Sequence, residues 1–404
     1  MQSVFIFLRK EATHTEPKRR FKAVWAILRP IAMLITLIRF NFKTKIYDPQ
    51  GPYIVVCNHV TDWDPIFVAC AFKEPMRFVS SEHIMRAGFV SKIIGWAADP
   101  IIRQKGCSAA GAVKAILRTI KNGGNVAFFP EGNRCWDGVT GDFPVSTGKL
   151  IRSSGATLVT FKLSGGYFSS PRWSGNTARK GRMTGKIMGT YSSDLLRGMS
   201  PADINALIEH DIYEDAYEQQ EKEKISFKGK RLAENLETYL YICPKCGTMH
   251  KLFSSDDTFT CRACGTSARY SPTGRLLGGG FRFDNIRDWA EWQTDKMKQL
   301  IDSVPADTPI FVDSGFELYR VTSGKSAEML GRGDLHLYRD SLELPQGIAL
   351  AMNEIEGMSL RGPTDLYIGT TNGNSFLLKT AKVRNTEKYV EACRYLGARF
   401  DCAV

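Results

Sequence analysis

The chain has 404 residues, 43% apolar and 24% charged, which is enough to bury more than one core and too hydrophobic for a disordered polypeptide. Its net charge of +12 points to an anionic partner, and its ten cysteines, six of them scattered without a pairing pattern, argue against a disulfide-stapled secreted scaffold and for a reducing compartment.

The charge is concentrated at the start. Residues 1–50 hold ten Lys or Arg against Glu11, Glu16 and Asp48, a local net charge of +7. Within them, residues 23–40 read AVWAILRPIAMLITLIRF, almost wholly apolar but interrupted by Arg29-Pro30. A spanning helix needs about 20 uninterrupted apolar residues, and the run after Pro30 is too short. The segment is therefore expected to lie in the plane of a membrane, flanked by Arg19, Arg20, Lys22, Arg39 and Lys43. The plainer alternative is an amphipathic helix packed on the domain that follows. The apolar run at 4–8 is too short for a signal peptide and lacks a cleavage site.

From 53 to 191, short apolar runs alternate with helical patterns. Strands are expected at 53–57, 77–80, 125–129, 157–163 and 185–191, and a helix across Val113, Ile116, Leu117 and Ile120 that stops at Asn122-Gly123-Gly124. This alternation predicts an α/β sandwich whose polar loops share one edge of the sheet. Two such loops stand out. The run Tyr53-Ile54-Val55-Val56-Cys57 leads into Asn58-His59-Val60-Thr61-Asp62-Trp63-Asp64, and Val126-Ala127-Phe128-Phe129 leads into Pro130-Glu131-Gly132-Asn133-Arg134. Residues five apart on a helix diverge by about 140°, so only a turn can bring His59 and Asp64 together. Such a pair serves either as a general base with a fixed tautomer or as caps of a helix start. In the second loop Pro130 and Gly132 enforce a tight turn that presents Glu131 beside the guanidinium of Arg134, a group suited to phosphate.

With these residues in place, the sequence resembles the glycerolipid acyltransferases, the family of the 1-acylglycerol-3-phosphate acyltransferases, over roughly 50–190. The family's Asn-His followed after four residues by Asp corresponds to Asn58-His59 and Asp64, its Phe-Pro-Glu-Gly-x-Arg block to Phe129 through Arg134, and a third block to Gly95 through Ile101-Ile102-Arg103. The resemblance implies acyl transfer from a thioester, acyl-CoA or acyl carrier protein, to the hydroxyl of a lysophospholipid. It implies His59 as base, Asp64 as its orienting partner, Arg103 and Arg134 as phosphate ligands, and Glu131 with Gly132 at the acceptor. Lys105 and Lys149 are further phosphate candidates, with a solvated role preferred for both. Two departures stand out: Val159-Thr160-Phe161 lacks the proline of the family's fourth block, and Cys135 replaces a frequent serine. The first leaves open another acceptor, such as a lysolipid with a headgroup, an amino-lipid or a glycolipid.

Residues 201–238, rich in Glu, Lys and Asp, read as solvated surface helices that separate this region from the rest. Next, Cys243-Pro-Lys-Cys246 and Cys261-Arg-Ala-Cys264 are separated by fourteen residues, and each pair is followed by a glycine, Gly247 and Gly265. Four thiolates at this spacing resemble a zinc ribbon, a closed structural site with no catalytic position, with a redox dithiol or iron as alternatives. Beyond Gly278-Gly279-Gly280, a helix carrying Trp289 and Trp292 precedes alternating segments at 310–321, 333–339, 365–371 and 375–380 and a final helix at 386–396. In its strands-then-helix order this tail resembles a pleckstrin-homology-like domain, which implies a lipid or protein docking module, and the same order also suits other small β domains.

The chain is thus expected to divide into a basic membrane-associating segment (1–45), a catalytic α/β domain (46–240), a zinc ribbon (241–275) and a β-rich C-terminal domain (276–404). The expected partners are membrane lipids, a lysophospholipid acceptor and the acyl thioester, at the cytoplasmic face of a membrane in a peripheral or monotopic arrangement. A catalytically silent lipid-binding scaffold is the rival from another class, and intact His59, Asp64, Glu131 and Arg134 argue against it. Nucleic acid is disfavoured, because the ribbon mixes Lys245, Lys251, Arg262 and Arg269 with Asp256 and Asp257.

Overall fold

The structure, a computed structural model, describes residues 18–81, 99–103, 110–175, 178–321, 327–362, 364–380 and 384–398. Gly95, Lys105 and residues 4–8, singled out above, lie outside these.

Three sheets follow one another along the chain. The first is built from β1 (Phe42–Thr44), β2 (Tyr53–Cys57), β3 (Met76–Ser81), β4 (Ile101–Arg103), β5 (Asn125–Phe128), β6 (Thr157–Ser164) and β7 (Met183–Tyr191), in the order β1-β7-β6-β2-β5-β3-β4. Strands β6, β2, β5, β3 and β4 are mutually parallel, and β7 runs antiparallel to β6. A parallel sheet needs cover on both faces, and β2 shows why this sequence supplies it: all five of its residues are buried. Tyr53, Val55 and Cys57 pack with Phe40, Phe67 and Phe72, from helices α1 (Lys18–Phe40) and α2 (Asp64–Ala71) and the residue after α2. Ile54 and Val56 face the other way, toward Ile116, Leu150, Ile204 and Ile208 of α3 (Ala110–Lys121), α4 (Ser146–Ser154) and α5 (Pro201–Ile212). The expected sandwich is present, and parallel pairing sends the C-terminal ends of β2, β5, β6, β3 and β4 to one edge.

Helix α1 is continuous through Pro30. This corrects the interrupted run read from the sequence, and residues 22–40 are long and apolar enough to cross a membrane by length and composition. Its outward face is apolar: Ile27, Ile31, Leu34 and Ile38 are all more than half exposed. At its inner end Phe40 packs on Trp63 and Phe67, with ring centroids 5.3 and 5.1 Å away, and the Arg39 guanidinium lies 5.6 Å from the Trp63 ring.

The segment after α5 is a second correction. Residues 201–238 are not a solvated divider, because Ile204, Ile208, Ile212, Tyr217, Phe227, Leu232 and Leu236 are fully or almost fully buried. Their wide spacing hides the apolar content in a charged composition. Past α6 (Ala216–Glu223), this segment enters a core that runs from Val60, Trp136, Tyr167 and Trp173, through Tyr239, Cys243 and Phe259, to Leu318, Leu360 and Tyr389.

The second sheet, β8 (Leu252–Ser255), β9 (Thr258–Cys261), β10 (Ser267–Tyr270) and β11 (Leu276–Leu277), is an antiparallel meander around the cysteine knuckles. After α7 (Ile286–Ser303) the third sheet contains β12 (Phe311–Val321), β13 (Ala327–Leu337), β14 (Ser341–Leu344), β15 (Ile348–Ala351), β16 (Ile355–Arg361), β17 (Asp365–Thr370) and β18 (Ser375–Lys379). Their order is β15-β14-β13-β12-β18-β17-β16, every pairing is antiparallel, and α8 (Glu387–Tyr395) packs against β16. Strands β14, β15 and β16 were not read from the sequence.

Candidate active site and a four-cysteine cluster

Two of the loops at the shared strand edge interlock through hydrogen bonds. The chain leaves β2 at Asn58, whose amide pairs with β6 as a strand residue would: Nδ2 donates to the Leu163 carbonyl at 2.9 Å, and Oδ1 accepts from the Leu163 amide at 2.8 Å. The turn that follows is folded around one buried carboxylate. Asp64 Oδ2 accepts from the amides of Val60 (2.5 Å) and Thr61 (2.9 Å), and Oδ1 accepts from the Thr61 hydroxyl at 2.6 Å. His59 Nδ1 lies 2.9 Å from Oδ2. An ionised carboxylate can only accept, so Nδ1 carries the proton and Nε2 is left with a lone pair. The ring is further held by stacking on Phe129, 4.4 Å between centroids and 20° between planes, while its side chain remains 20% exposed.

The second loop braces the first. Gly132 adopts φ +67°, which favours glycine, and closes the turn with its amide on the Phe129 carbonyl at 3.1 Å. Glu131, expected to meet an acceptor hydroxyl, is 6% exposed. Its oxygens instead accept from the amides of His59 (2.6 Å) and Gly141 (2.8 Å). Burial pushes its carboxyl up to about 8, against the downward pull of those two donors. Arg134, expected at a phosphate, has three of its five N–H groups committed: to the Val60 carbonyl (3.1 Å), Asp62 Oδ2 (2.8 Å) and the Ser170 carbonyl (2.8 Å). Asp62 is thus a largely exposed carboxylate paired with Arg134. The Cys135 amide closes the interlock on the His59 carbonyl at 3.1 Å.

Arg103 ends β4 at the same edge but lies three strands from β2, on the order of 14 Å away at ordinary strand spacing. Lys149 is exposed on α4. The Thr160 hydroxyl, where the family's proline is missing, donates to Asp211 Oδ2 at 2.6 Å on the α5 face.

Two residues outside the matched blocks reach this site. Arg172 is half-buried, and its guanidinium donates to the Arg134 carbonyl (2.8 Å) and to the Leu360 carbonyl on β16 (3.3 Å), 4.3 Å from the Trp136 ring centroid. Glu214 lines, with His59, Glu131, Gly165 and Gly166, a narrow crevice whose free volume of about 10 Å³ is one water molecule's worth. Burial pushes Glu214 up to about 7, with the Ser164 hydroxyl donating to Oε2 at 3.0 Å. Arg172 stands in Pro171-Arg172-Trp173, a polar and aromatic run that the sequence offers as able to reshape the acceptor site, whereas Glu214 carries no local signal, because its partner Ser164 lies fifty residues away.

The four cysteines converge as a set. The Sγ atoms of Cys243, Cys246, Cys261 and Cys264 all lie within 4.8 Å of one another, with Cys243 to Cys264 at 3.9 Å and Cys246 to Cys261 at 3.7 Å. Tetrahedral coordination with metal–sulfur bonds of about 2.3 Å puts sulfurs about 3.8 Å apart, so these residues fit a zinc-sized ion. Gly247 and Gly265, at φ +72° and +70°, turn each knuckle.

Comparison with known proteins bears on the first sheet. Residues 38–164 match the family model described as Acyltransferase. The chain is 29% identical over 167 residues to the 1-acyl-sn-glycerol-3-phosphate acyltransferase BAT2, chloroplastic, of Brassica napus, covering 40% of this chain and 41% of that protein. It is 30% identical over 150 residues to LPAT1, chloroplastic, of Arabidopsis thaliana, which bears the same enzyme name, with 36% of each chain covered. The chain thus spans about two fifths of the length of these relatives. Among solved structures, the 1-acyl-sn-glycerophosphate acyltransferase PlsC of Thermotoga maritima aligns with TM-score 0.39 and 18% identity over 49% of this chain and 82% of that one.

Proposed function

We propose that the protein is a membrane-associated O-acyltransferase that moves a fatty acyl group from a thioester, acyl-CoA or acyl carrier protein, to the hydroxyl of a lysophospholipid, foremost 1-acyl-sn-glycerol-3-phosphate, giving phosphatidic acid. The names of its relatives suggest the substrate. The observation that carries the reading is the arrangement of His59: Nδ1 fixed on a carboxylate that three other donors hold still, and a partly exposed ring with Nε2 available.

In this reading Nε2 takes the proton of the acceptor hydroxyl as its oxygen attacks the thioester carbonyl. The carbon–sulfur bond then breaks, and the leaving thiolate recovers the proton from the imidazolium, so no acyl-enzyme forms. Asp64 orients the ring. The two N–H groups of Arg134 that have no partner among the described residues, aimed by its three fixed ones, and Arg103 contact the acceptor phosphate. Gly132 keeps the turn open beside them. The apolar face of α1, with Trp63 and Arg39 at its inner end, would rest in the cytoplasmic face of a membrane and keep the His59 turn at the level of its lipid acceptor. Zinc is the ion that suits the cysteine set, as a structural staple. The division at 45, 240 and 275 is retained as a set of sequence units.

Acyl transfer by the full chain from labelled acyl-CoA, or from acyl carrier protein, to a panel of lysolipids tests this. Product with lysophosphatidate, reduced about 10²–10⁴-fold in His59→Ala and in Asp64→Asn, is the expected result. Product with another lysolipid alone would keep the chemistry and replace the acceptor, and a rate indifferent to His59 would sink the dyad.

A further inference from the structure

The sheet face opposite α1 is not fully covered. Helix α5 closes it over Thr160 and ends at Ile212. Beyond, Lys162 and Ser164 of β6 and Thr184 and Lys186 of β7 stand beside each other in register, with α6 as the opposite wall. They line an open groove of about 640 Å³. Glu214 lines both this groove and the His59 crevice, which lie on either side of it at the end of β6.

The charges in the groove are only partly paired by direct contact. Arg182 is paired with Glu223 at 2.5 Å, and Asp215 with Arg287 at 2.6 Å. Lys162, Lys186 and Lys222 have no carboxylate partner within 4 Å among the described ion pairs, and Lys162 donates only to the Tyr213 carbonyl at 3.3 Å. Against them stand Glu218, which is exposed, and Glu214, which accepts the Ser164 hydroxyl. Three ammonium groups facing two carboxylates, Glu218 and Glu214, leave a positive excess on an aqueous face beside the His59 crevice, which suits a ligand with phosphates at one end and a thin neutral arm at the other.

We propose that this groove seats the phosphate-bearing end of the acyl donor, the phosphopantetheine common to CoA and acyl carrier protein, and that its arm reaches His59 past Glu214. The inference rests on the acyltransferase reading and adds a division of labour: the lipid acceptor comes from the side of the exposed apolar helix, and the water-soluble carrier from the opposite sheet face. The crevice, with room for one water, must widen as the arm enters.

The test is binding as well as activity. CoA, 3′-dephospho-CoA and phosphopantetheinylated acyl carrier protein are titrated onto the full chain in lipid vesicles, for wild type, the Lys186→Glu/Lys222→Glu double variant and a Lys298→Glu control on α7. Expected is saturable binding of CoA or of the carrier protein, weakened about tenfold or more in the double variant and by added salt, and unchanged in the control. With active enzyme, KM for the donor rises while KM for the acceptor and kcat hold. CoA binding alone and carrier-protein binding alone identify the source of the arm. Because binding is read without turnover, it stands or falls apart from the reaction: donor binding that ignores both charge reversals overturns the groove, and so does a failure of every donor to bind a folded protein.

Discussion

At the scale of single residues, the site turns on carboxylates that do not touch solvent. Asp64 collects four donors, whereas Glu131 joins the two loops through one amide from each side. The folded chain holds the Glu131 proton up to about pH 8, against an ordinary glutamate value of 4.5. The native state therefore binds more protons than the unfolded state between these values, and the linked stability is full below 4.5 and lost as pH rises through 8. Glu131→Gln cannot titrate and turns an N–H toward one of the two amides. We expect it to melt below wild type, with a gap that is widest near pH 5 and narrows toward pH 9. Thermal unfolding of both proteins across that range checks the sign, and a gap that widens with pH would show that Glu131 is ionised in the fold. The sequence displayed His59, Asp64 and Glu131 because strand-end polar clusters are local. It could not display that Glu131 meets two backbone amides and that Arg134 is largely occupied, because those partners come from Gly141, Val60, Asp62 and Ser170.

At the scale of elements, strong periodicity was readable and sparse periodicity was not. Strand β2 and helix α3 stand where the sequence put them, because a run of five buried residues and a repeat of Val113, Ile116, Leu117 and Ile120 have few other solutions. Helix α1 runs through Pro30, since a proline removes one hydrogen bond and does not forbid the helix when the flanking turns are strong formers. The cysteine knuckles were legible from spacing alone. What spacing did not reveal is that Cys243 and Cys261 belong to the same core as Trp173, Phe259 and Trp289. Removing the metal should therefore be felt beyond the ribbon. For full-length protein we expect about one zinc per chain, abolished in Cys246→Ser/Cys264→Ser, together with a fall in melting temperature and weaker acyl transfer, although no cysteine of the set lies at the His59 crevice. Metal analysis with calorimetry decides it: a variant that lacks metal and keeps both melting temperature and activity would make the cluster dispensable.

At the scale of the whole molecule, each face of the first sheet has its own apolar cluster, and a third cluster joins the loops beside that sheet to the second and third sheets. One cluster passes from Val60 and Trp136 behind the His59 turn, across Tyr239, into β12, β16 and α8. The Trp136 and Tyr239 rings stack at 5.2 Å and 9°, and the Tyr239 carbonyl accepts from both Gln293 of α7 (3.1 Å) and Asn385 before α8 (2.6 Å). Arg172 completes the link by bonding the Arg134 loop to the Leu360 carbonyl with a half-buried guanidinium. A cut at 240, where composition suggests a boundary, would expose Trp136, Trp173 and Leu236 and leave Arg172 without its β16 acceptor. The expectation is that the full chain unfolds from the first sheet to the third in one calorimetric transition, and that a 46–240 fragment aggregates or melts without cooperativity. Arg172→Ala should cost about 2–4 kcal/mol of stability, since it strands two carbonyls and uncovers an indole face. A 46–240 fragment that melts reversibly near the temperature of the whole chain would show instead that the C-terminal sheet merely rests on a self-sufficient folding unit. If the transition is single, the C-terminal sheet is a structural support of the His59 site, joined to the Arg134 loop through Arg172.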